Sequence, residues 1–528
     1  MAEQLALTQH QWKPSHNPYV VALTVTLATF MEVLDISIAN VSLPHIAGSL
    51  GATYEESTWI LTSYLVSAAI VLPVSGWLSN RMGRKRFYMT CVVLFTVCSF
   101  FCGIATSLPM LIIARVLQGA GGGGLQPSEQ AILADTFSVE KRGMAFSLYG
   151  MAVVVAPAIG PTLGGWITDN FSWHWIFFIN VPVGLLSLFL TQRFVEDPPW
   201  FKDEKRAGIK IDYIGLALIV FGIAAIQMVL DKGQEDDWFA SPLILSLFLI
   251  GVPTLVACFL WEWYHPDPII DVRLLKNRNF GTAVFFSFAL GIVLFGSTVL
   301  IPEFLQNNLG YTAELAGEAL SPAGLVMMAM MPIVGRLTGT RIDPRLLVSI
   351  GFLGLSLSLH RFTSINPQMD FRTIMFLRMQ QVLFMPLIFV PISTLNYIGV
   401  PREKNNQVSG MSTFARNLGG SIGTSLLGTF LARQNQTHQL SLVAHTTNGN
   451  LNFEQMLTAF KAMFISQGYD AATAATKALA MAYRTVQVQA STLSFENSFW
   501  IMSLIVGCVA PLPFIMRRPK LGGGRPRE

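Results

Sequence analysis

Charge is scarce in this chain: Asp, Glu, Lys and Arg make up 12% of its 528 residues, while 52% are hydrophobic. One soluble core cannot bury that much apolar surface, which excludes an ordinary globular domain and leaves a lipid bilayer as the sink. Cysteine is sparse too. Cys91, Cys98, Cys102, Cys258 and Cys508 all fall in apolar segments, without the paired spacing of a disulfide framework or a metal site. No metal and no cofactor are expected. The formal net charge is only +4, and no basic tract fits a nucleic-acid groove. No grouping of Ser, His and acid suggests covalent catalysis, so an enzyme is not expected. Met1 to Pro18 lacks the apolar core and cleavage site of a secretory signal, so the first apolar segment is expected to stay as a signal-anchor.

What the chain does have is apolar runs long enough to cross a ~30 Å hydrocarbon layer, separated by short polar links. They predict about fourteen helical spans, near 19–40, 57–79, 86–106, 108–131, 143–167, 173–193, 211–231, 242–264, 279–302, 314–337, 344–362, 372–398, 407–432 and 497–516. An even number puts both termini on one side. Lys and Arg resist translocation and collect in alternate loops: Arg81 to Arg86, Lys141 and Arg142, Lys202 to Lys210, Arg273 to Arg278, Arg341 and Arg345, Arg402 and Lys404, and Arg517 onward. About 25 of the 35 basic residues fall on this side, which is expected to be cytoplasmic. The expected organisation is a cytoplasmic N-terminus (1–18), a six-helix bundle (19–193), links with two inserted helices (194–278), a second six-helix bundle (279–516) and a cytoplasmic tail (517–528). The second bundle carries a polar external link, 433–496, in which Leu451 to Gln467 and Tyr469 to Ala490 show helical spacing but too many charges to span. This segment reads as an external hairpin, either a docking element or a solvated cap.

Charged residues inside the spans carry the functional signal. Glu32 and Asp35 share a helix face in span one, and a buried carboxylate is a natural proton carrier. Alternatively, Asp35 sits near the outer interface and bonds neighbouring spans together with Asn40. Arg115, in span four, cannot shed its charge and needs a partner; a carboxylate of span one is a candidate, and Glu129 later in span four can satisfy a neighbour. The run Gly119 to Gly124 follows no strand and lacks a Gly-Lys-Ser/Thr ending, so it reads as a site of close helix approach and bending rather than a phosphate loop. Pro157 and Pro161, among the small residues Gly160, Gly164 and Gly165, can kink span five at a gate. Trp59, Tyr64, Gln118, Gln227, Gln306, Arg378, Gln380, Gln381 and Asn396 are candidate pocket residues, with Arg378 and its neighbouring glutamines the most suggestive.

Several ordered segments resemble one family. Gly76-Trp77-Leu78-Ser79-Asn80-Arg81-Met82-Gly83-Arg84-Lys85-Arg86 resembles the signature loop of the major facilitator superfamily. Leu34-Asp35-Ile36-Ser37-Ile38-Ala39-Asn40-Val41-Ser42-Leu43-Pro44 is similar to the first-span motif of its fourteen-helix drug:proton antiporters. Ala114-Arg115-Val116-Leu117-Gln118-Gly119 is similar to the fourth-span motif, the stretch ending Gly160-Pro161-Thr162-Leu163-Gly164-Gly165 to the antiporter motif, and Trp173 to Pro182 to the same group. The likeness covers nearly the full chain, including the external link and the glycine-rich tail at Gly522 to Gly524, and is nearest the EmrB branch of the EmrB/QacA group.

The resemblance implies a bacterial inner-membrane pump that exchanges protons for small hydrophobic toxicants, with a periplasmic membrane-fusion adaptor and an outer-membrane channel as partners besides lipid. It implies that Asp35 is the first-span acid, Arg115 the arginine linked with proton coupling, and Gly160, Pro161 and Gly164 the antiporter helix. Asn80 departs from the pattern: it removes the acid to which the family's interdomain charge contact is attributed. Glu32 and Glu129 stand where an uncharged polar residue is expected. An exporter of an endogenous metabolite, or an uptake symporter, fits the same fold.

Overall fold

In the computed structural model the described residues are 14–198, 212–338, 342–447 and 449–517. The first residues of the N-terminus, the basic link with Lys202, Lys205, Arg206 and Lys210, Arg341, and the tail beyond Arg517 lie outside them. The described residues form seventeen α-helices and no strand. In chain order α1 is Pro18–Leu50, α2 Tyr54–Met82, α3 Arg84–Gly103, α4 Leu108–Gly122, α5 Leu125–Thr136 and α6 Arg142–Asn170. Then come α7 Trp175–Phe178, α8 Asn180–Phe194, α9 Tyr213–Lys232, α10 Pro242–Tyr264, α11 Arg278–Asn307 and α12 Ala313–Thr338. The last five are α13 Pro344–Arg361, α14 Phe371–Leu395, α15 Asn405–Val443, α16 Leu451–Ser466 and α17 Ala471–Val509.

Among the described residues twelve stretches are long and apolar enough to cross a membrane, with α4–α5 and α7–α8 each counted as one; α6, bent by 42° around Pro157, makes a thirteenth. The one remaining expected span, the thirteenth in chain order, is α15, 39 residues long but too polar to pass on composition. Its polarity has an internal cause. Asn405, Asn406, Ser409, Ser412, Thr413 and Arg416 are all buried against other helices, so lipid never meets them.

Four spans differ most from their expected form. Span four is two helices that break at Gly123 and Gly124, because close neighbours fill the space on several sides of the glycine run. A Cβ on Gly119 would collide with the Tyr64 carbonyl, and one on Gly123 would lie 2.5 Å from the Ala68 carbonyl. Only residues without side chains let α4 and α2 approach so closely. Span six opens with the single turn α7 before α8 continues. At the far end, the second arm of the expected external hairpin is no separate helix: α17 runs unbroken through it into the last span, and α15 likewise extends eleven residues past 432. Apolar residues at helical spacing give no reason to break at the membrane surface.

Helices α1 to α8 form one bundle, in which α1 packs on α6 and α8, and α4 packs on α2 and α3. The second bundle joins α11 with α15, α12 and α13 with α14, and α13 and α15 with α17. The two halves meet along α6–α12 and α2–α15. Helices α9 and α10 pair with each other; α9 leans on α2 and α15, while α10 buries only Ile244, Gly251, Cys258 and Glu262.

Candidate functional site

Asp35 lies at the centre of a donor cluster inside the first bundle. Its Oδ2 accepts from Arg115 Nη1 at 2.6 Å, and its Oδ1 accepts from Asn180 Nδ2 at 2.6 Å and Gln118 Nε2 at 3.2 Å. Asp35 is 2% exposed and Arg115 0%. The pair is held from several helices: Arg115 Nε donates to the Ile60 carbonyl at 3.2 Å, Nη1 also to Gln118 Oε1 at 2.8 Å, and the guanidinium lies 4.4 Å from the Tyr64 ring centroid. Asn180 is anchored in turn by donating to Ser99 Oγ, 3.0 Å away. Asn40, by contrast, is exposed and makes no bond to Asp35. Arg115, Gln118 and Asn180 all donate to the Asp35 carboxylate, so adding a proton to it removes an acceptor site and a counter-charge from this cluster.

Glu32, one turn earlier, faces a second network. Gln126 Nε2 donates to its two oxygens at 3.3 and 3.2 Å, while Gln126 Oε1 accepts from Tyr149 Oη at 2.9 Å and Arg416 Nη2 at 2.7 Å. Arg416 Nη2 also donates to Tyr149 Oη at 2.9 Å, and Gln130 Nε2 donates to Tyr149 Oη and to Thr413 Oγ1 at 3.0 and 2.8 Å. Arg416 and Thr413 come from α15 in the second half, so this network crosses between the halves. Glu129 accepts from Thr26 Oγ1 at 2.6 Å.

The kink in α6 has a traceable origin. Pro161 has no N–H to give to the Pro157 carbonyl, and that carbonyl instead accepts from Ser37 Oγ of α1 at 3.3 Å. Gly160 and Gly164 lie against Ser37 and Ile38, whereas Gly165 faces open space.

At the signature loop, Gly83 has φ 93°, a left-handed conformation that favours glycine and separates α2 from α3. A Cβ on Gly76 would lie 2.8 Å from Gln407 of α15. Arg84 pairs with Asp135 and donates to the Arg402 carbonyl at 3.1 Å, while Asn405 Nδ2 donates to Asp135 Oδ1 at 2.7 Å. Asn406 Nδ2 bonds Ser79 Oγ. The halves are thus tied here by Arg84, Asp135 and Asn405; the Asn80 amide oxygen is buried without a partner. Arg81 rests over the Trp77 ring, and Lys85 holds Asp197 and the Gln192 carbonyl.

Six of the candidate pocket residues fall in three places, while Gln227 donates to Ser421 Oγ, Asn396 to Ser412 Oγ, and Gln306 is exposed. Tyr64 and Gln118 belong to the Asp35 cluster, and Trp59 sits beside Lys232 of α9, 5.6 Å from its ring centroid. Arg378 and Gln381 bond each other at 2.7 Å in the second half, and Gln380 accepts from Arg361 Nη1 at 2.9 Å. Sequence reasoning did not single out Gln126, Tyr149, Asn180, Asp135, Asn405 or Arg416 as site residues. Their signal was polarity within or beside an apolar span, which is common to many residues that only bond a neighbour. No cluster of three metal-ligating side chains occurs among the described residues.

Residues 25–424 match the Major Facilitator Superfamily. The chain is 40% identical over 427 residues to the multidrug export protein EmrB of Haemophilus influenzae, covering 81% of this chain and 83% of that one. It is 35% identical over 517 residues to the Escherichia coli K12 protein of the same name, covering 97% and 98%. To the fatty acid resistance protein FarB of Neisseria gonorrhoeae it is 34% identical over 505 residues, covering 96% and 97%. Among solved structures, a double-Trp mutant of XylE superposes with a TM-score of 0.62 at 13% identity, over 96% of this chain and 98% of that one. The human organic anion transporter TETRAN gives 0.58 at 13% identity, over 93% and 100%. These structural matches establish the fold alone. With its helical bundles, its ordered motifs and relatives this similar over almost its whole length, the chain is a multi-pass membrane protein that belongs to the major facilitator superfamily, in the group of the EmrB multidrug export proteins.

Proposed function

We propose that this protein is a proton-coupled exporter of small hydrophobic organic compounds in a bacterial inner membrane, with both termini cytoplasmic. The observation that carries the reading is the buried Asp35 carboxylate, on which Arg115, Gln118 and Asn180 converge. In the proposed cycle a proton from outside neutralises Asp35, Arg115 loses its counter-charge, and α1 and α4 shift relative to each other. The two bundles rock around a midplane cavity, and Glu32, through Gln126, passes the change to α15. Two relatives named as multidrug export proteins support the cargo class. In proteoliposomes with an internal pH dye, added hydrophobic compounds should drive proton movement in the wild type and not in Asp35→Asn. Substrate-driven proton movement that persists in Asp35→Asn would remove the assignment.

The external segment is proposed as the docking element for a periplasmic adaptor, which leads to an outer-membrane channel. Helix α16 has no buried residue, and Leu440, Leu451, Ile465, Leu479 and Tyr483 are exposed around it. Replacing 451–466 by a flexible linker should abolish adaptor co-purification and leave membrane insertion intact; unchanged co-purification would sink this part. A second reading, export of a fatty acid, is supported by the similarity to a fatty acid resistance protein.

A further inference from the structure

Basic residues gather on the signature-loop side of the second half, and several have an acid to answer them. Arg273 and Lys404 both reach Asp271, and Arg345 reaches Asp343. Lys276, Arg278 and Arg517 have none: among the described residues no ion pair includes them, and no side-chain hydrogen bond leaves from them. All three are exposed, and all three line one open cavity of about 370 Å³ at the start of α11. Lys276 rests over the Trp263 ring of α10, 4.6 Å from its centroid, a contact that orients the ammonium without neutralising it. The amides between these cations add a donor. Asn277 caps α11 with its oxygen, accepting from the Asn279 and Phe280 N–H groups, and gives its NH2 to the Gly399 carbonyl at 3.0 Å. Asn279 Oδ1 accepts the Arg517 N–H at 2.8 Å, while its Nδ2 has no acceptor among the described residues. Three cationic side chains and a free amide donor thus surround one space, and no carboxylate stands among the described residues of its wall. Like charges gathered in this way repel one another, so the arrangement is stabilised by an anion.

The setting favours one source for that anion. Phe514 and Ile515, just before Arg517, are exposed; so are Tyr264, next to Trp263, and Phe285, which shares a face of α11 with Arg278 two turns on. Exposed aromatic and apolar side chains beside basic ones suit the headgroup layer of a bilayer, where basic pockets take anionic headgroups. A phosphate carried on acyl chains keeps its charge at the cavity and lays its chains on those apolar side chains, whereas a free phosphate gains only the first of these. We propose that Lys276, Arg278 and Arg517, with the Asn279 amide, bind the phosphate of an anionic phospholipid headgroup. A lipid bound there also steadies the link between α14 and α15. That link places Gly399 at the cavity, offers the Arg402 carbonyl to Arg84 of the first half, and bonds Lys404 to Asp271.

The test uses the full chain in detergent, with native mass spectrometry counting bound lipid across titrations of dioleoylphosphatidylglycerol and of its net-neutral counterpart dioleoylphosphatidylcholine. The wild type should hold one phosphatidylglycerol more tightly than any phosphatidylcholine. Arg278→Gln and Arg517→Gln should each raise the Kd of that phosphatidylglycerol about fivefold, the scale of one basic residue acting on an anionic headgroup. Lys141→Gln removes an exposed charge from the first half and should leave this Kd unchanged. The side chains replaced are exposed and bond nothing, so the fold is not at stake; Arg278→Lys, which keeps the charge, should recover most of the affinity. An unchanged Kd in both Arg278→Gln and Arg517→Gln overturns the proposal, as does an equal loss in Lys141→Gln, which would reflect net charge alone. Displacement of the lipid by inorganic phosphate as readily as by a second anionic phospholipid overturns the choice of a lipid. Equal retention of phosphatidylcholine overturns the requirement for an anionic headgroup.

Discussion

Glu32 and Arg416 belong to opposite halves of the protein and are joined through a single amide. Gln126 gives its NH2 to the carboxylate and its oxygen to the guanidinium, at 2.7 Å on the arginine side. The two charges fix which way the amide points. The halves are thereby linked by electrostatics deep in the bundle as well as by packing at the signature loop.

Gln126→Leu removes both ends of that bridge at once. Leaving the Glu32 carboxylate without its donor costs about 1–3 kcal/mol, while Arg416 keeps its bond to Tyr149 Oη. The expected result is a lower thermal midpoint in detergent. An unchanged midpoint would show that water replaces the amide.

Asp135→Asn should loosen the signature-loop side. Arg84 is buried there, and removal of one partner of a buried pair costs about 3–5 kcal/mol. Spin labels at Arg86→Cys and Pro401→Cys, on opposite halves, should report a longer mean distance in the Asp135→Asn background. If the distribution stays the same, the Arg84–Arg402, Asn405 and Asn406 bonds suffice to hold the halves without the ion pair.

Two glycines of the motifs should respond in opposite ways. Gly119→Ala drives a methyl into the Tyr64 carbonyl and should destabilise by about 1–3 kcal/mol. Gly165→Ala meets nothing within 4 Å and should stay within about 0.5 kcal/mol of wild type. Thermal midpoints of the purified variants decide both.

Asp271, in the link before α11, gives an acid-sensitive interaction. Burial works against its ionisation, but bonds from Lys404 at 2.5 Å and Arg273 at 3.0 Å outweigh burial and hold the carboxyl below the usual carboxylate range. Its stabilisation is therefore complete above the ordinary Asp range and is lost as pH falls through the lower folded value. Between pH 7 and about 5 the Asp271→Asn variant should sit a constant amount below wild type in melting temperature. Below about pH 4 the two curves should converge.

Much of the fold was legible in the chain because a bilayer imposes one length on every span. Span α9 was expected at 211–231 and runs Tyr213–Lys232; span α13 was expected at 344–362 and runs Pro344–Arg361. Boundaries failed where local sequence was not the deciding force. The break between α4 and α5 depends on how near α2 and α3 come to the glycine run, and the length of α17 on its packing against α15 and α16. Asn80, standing in place of an acid, gave no hint that Asp135 and Asn405 would tie the halves, since those two residues lie 270 positions apart.

By itself the sequence determined that this protein lives in a membrane, roughly how many times it crosses, and that acids and arginines are buried there, because hydrocarbon tolerates few charges and long apolar runs have one use. It left open which acid answers Arg115. Only the tertiary structure decided that Asp35 does, while Glu32, one turn away, turns to Gln126 and the second half. The choice depends on which face of α1 meets α4 and which meets α5, a matter of helix packing that no spacing along the chain encodes.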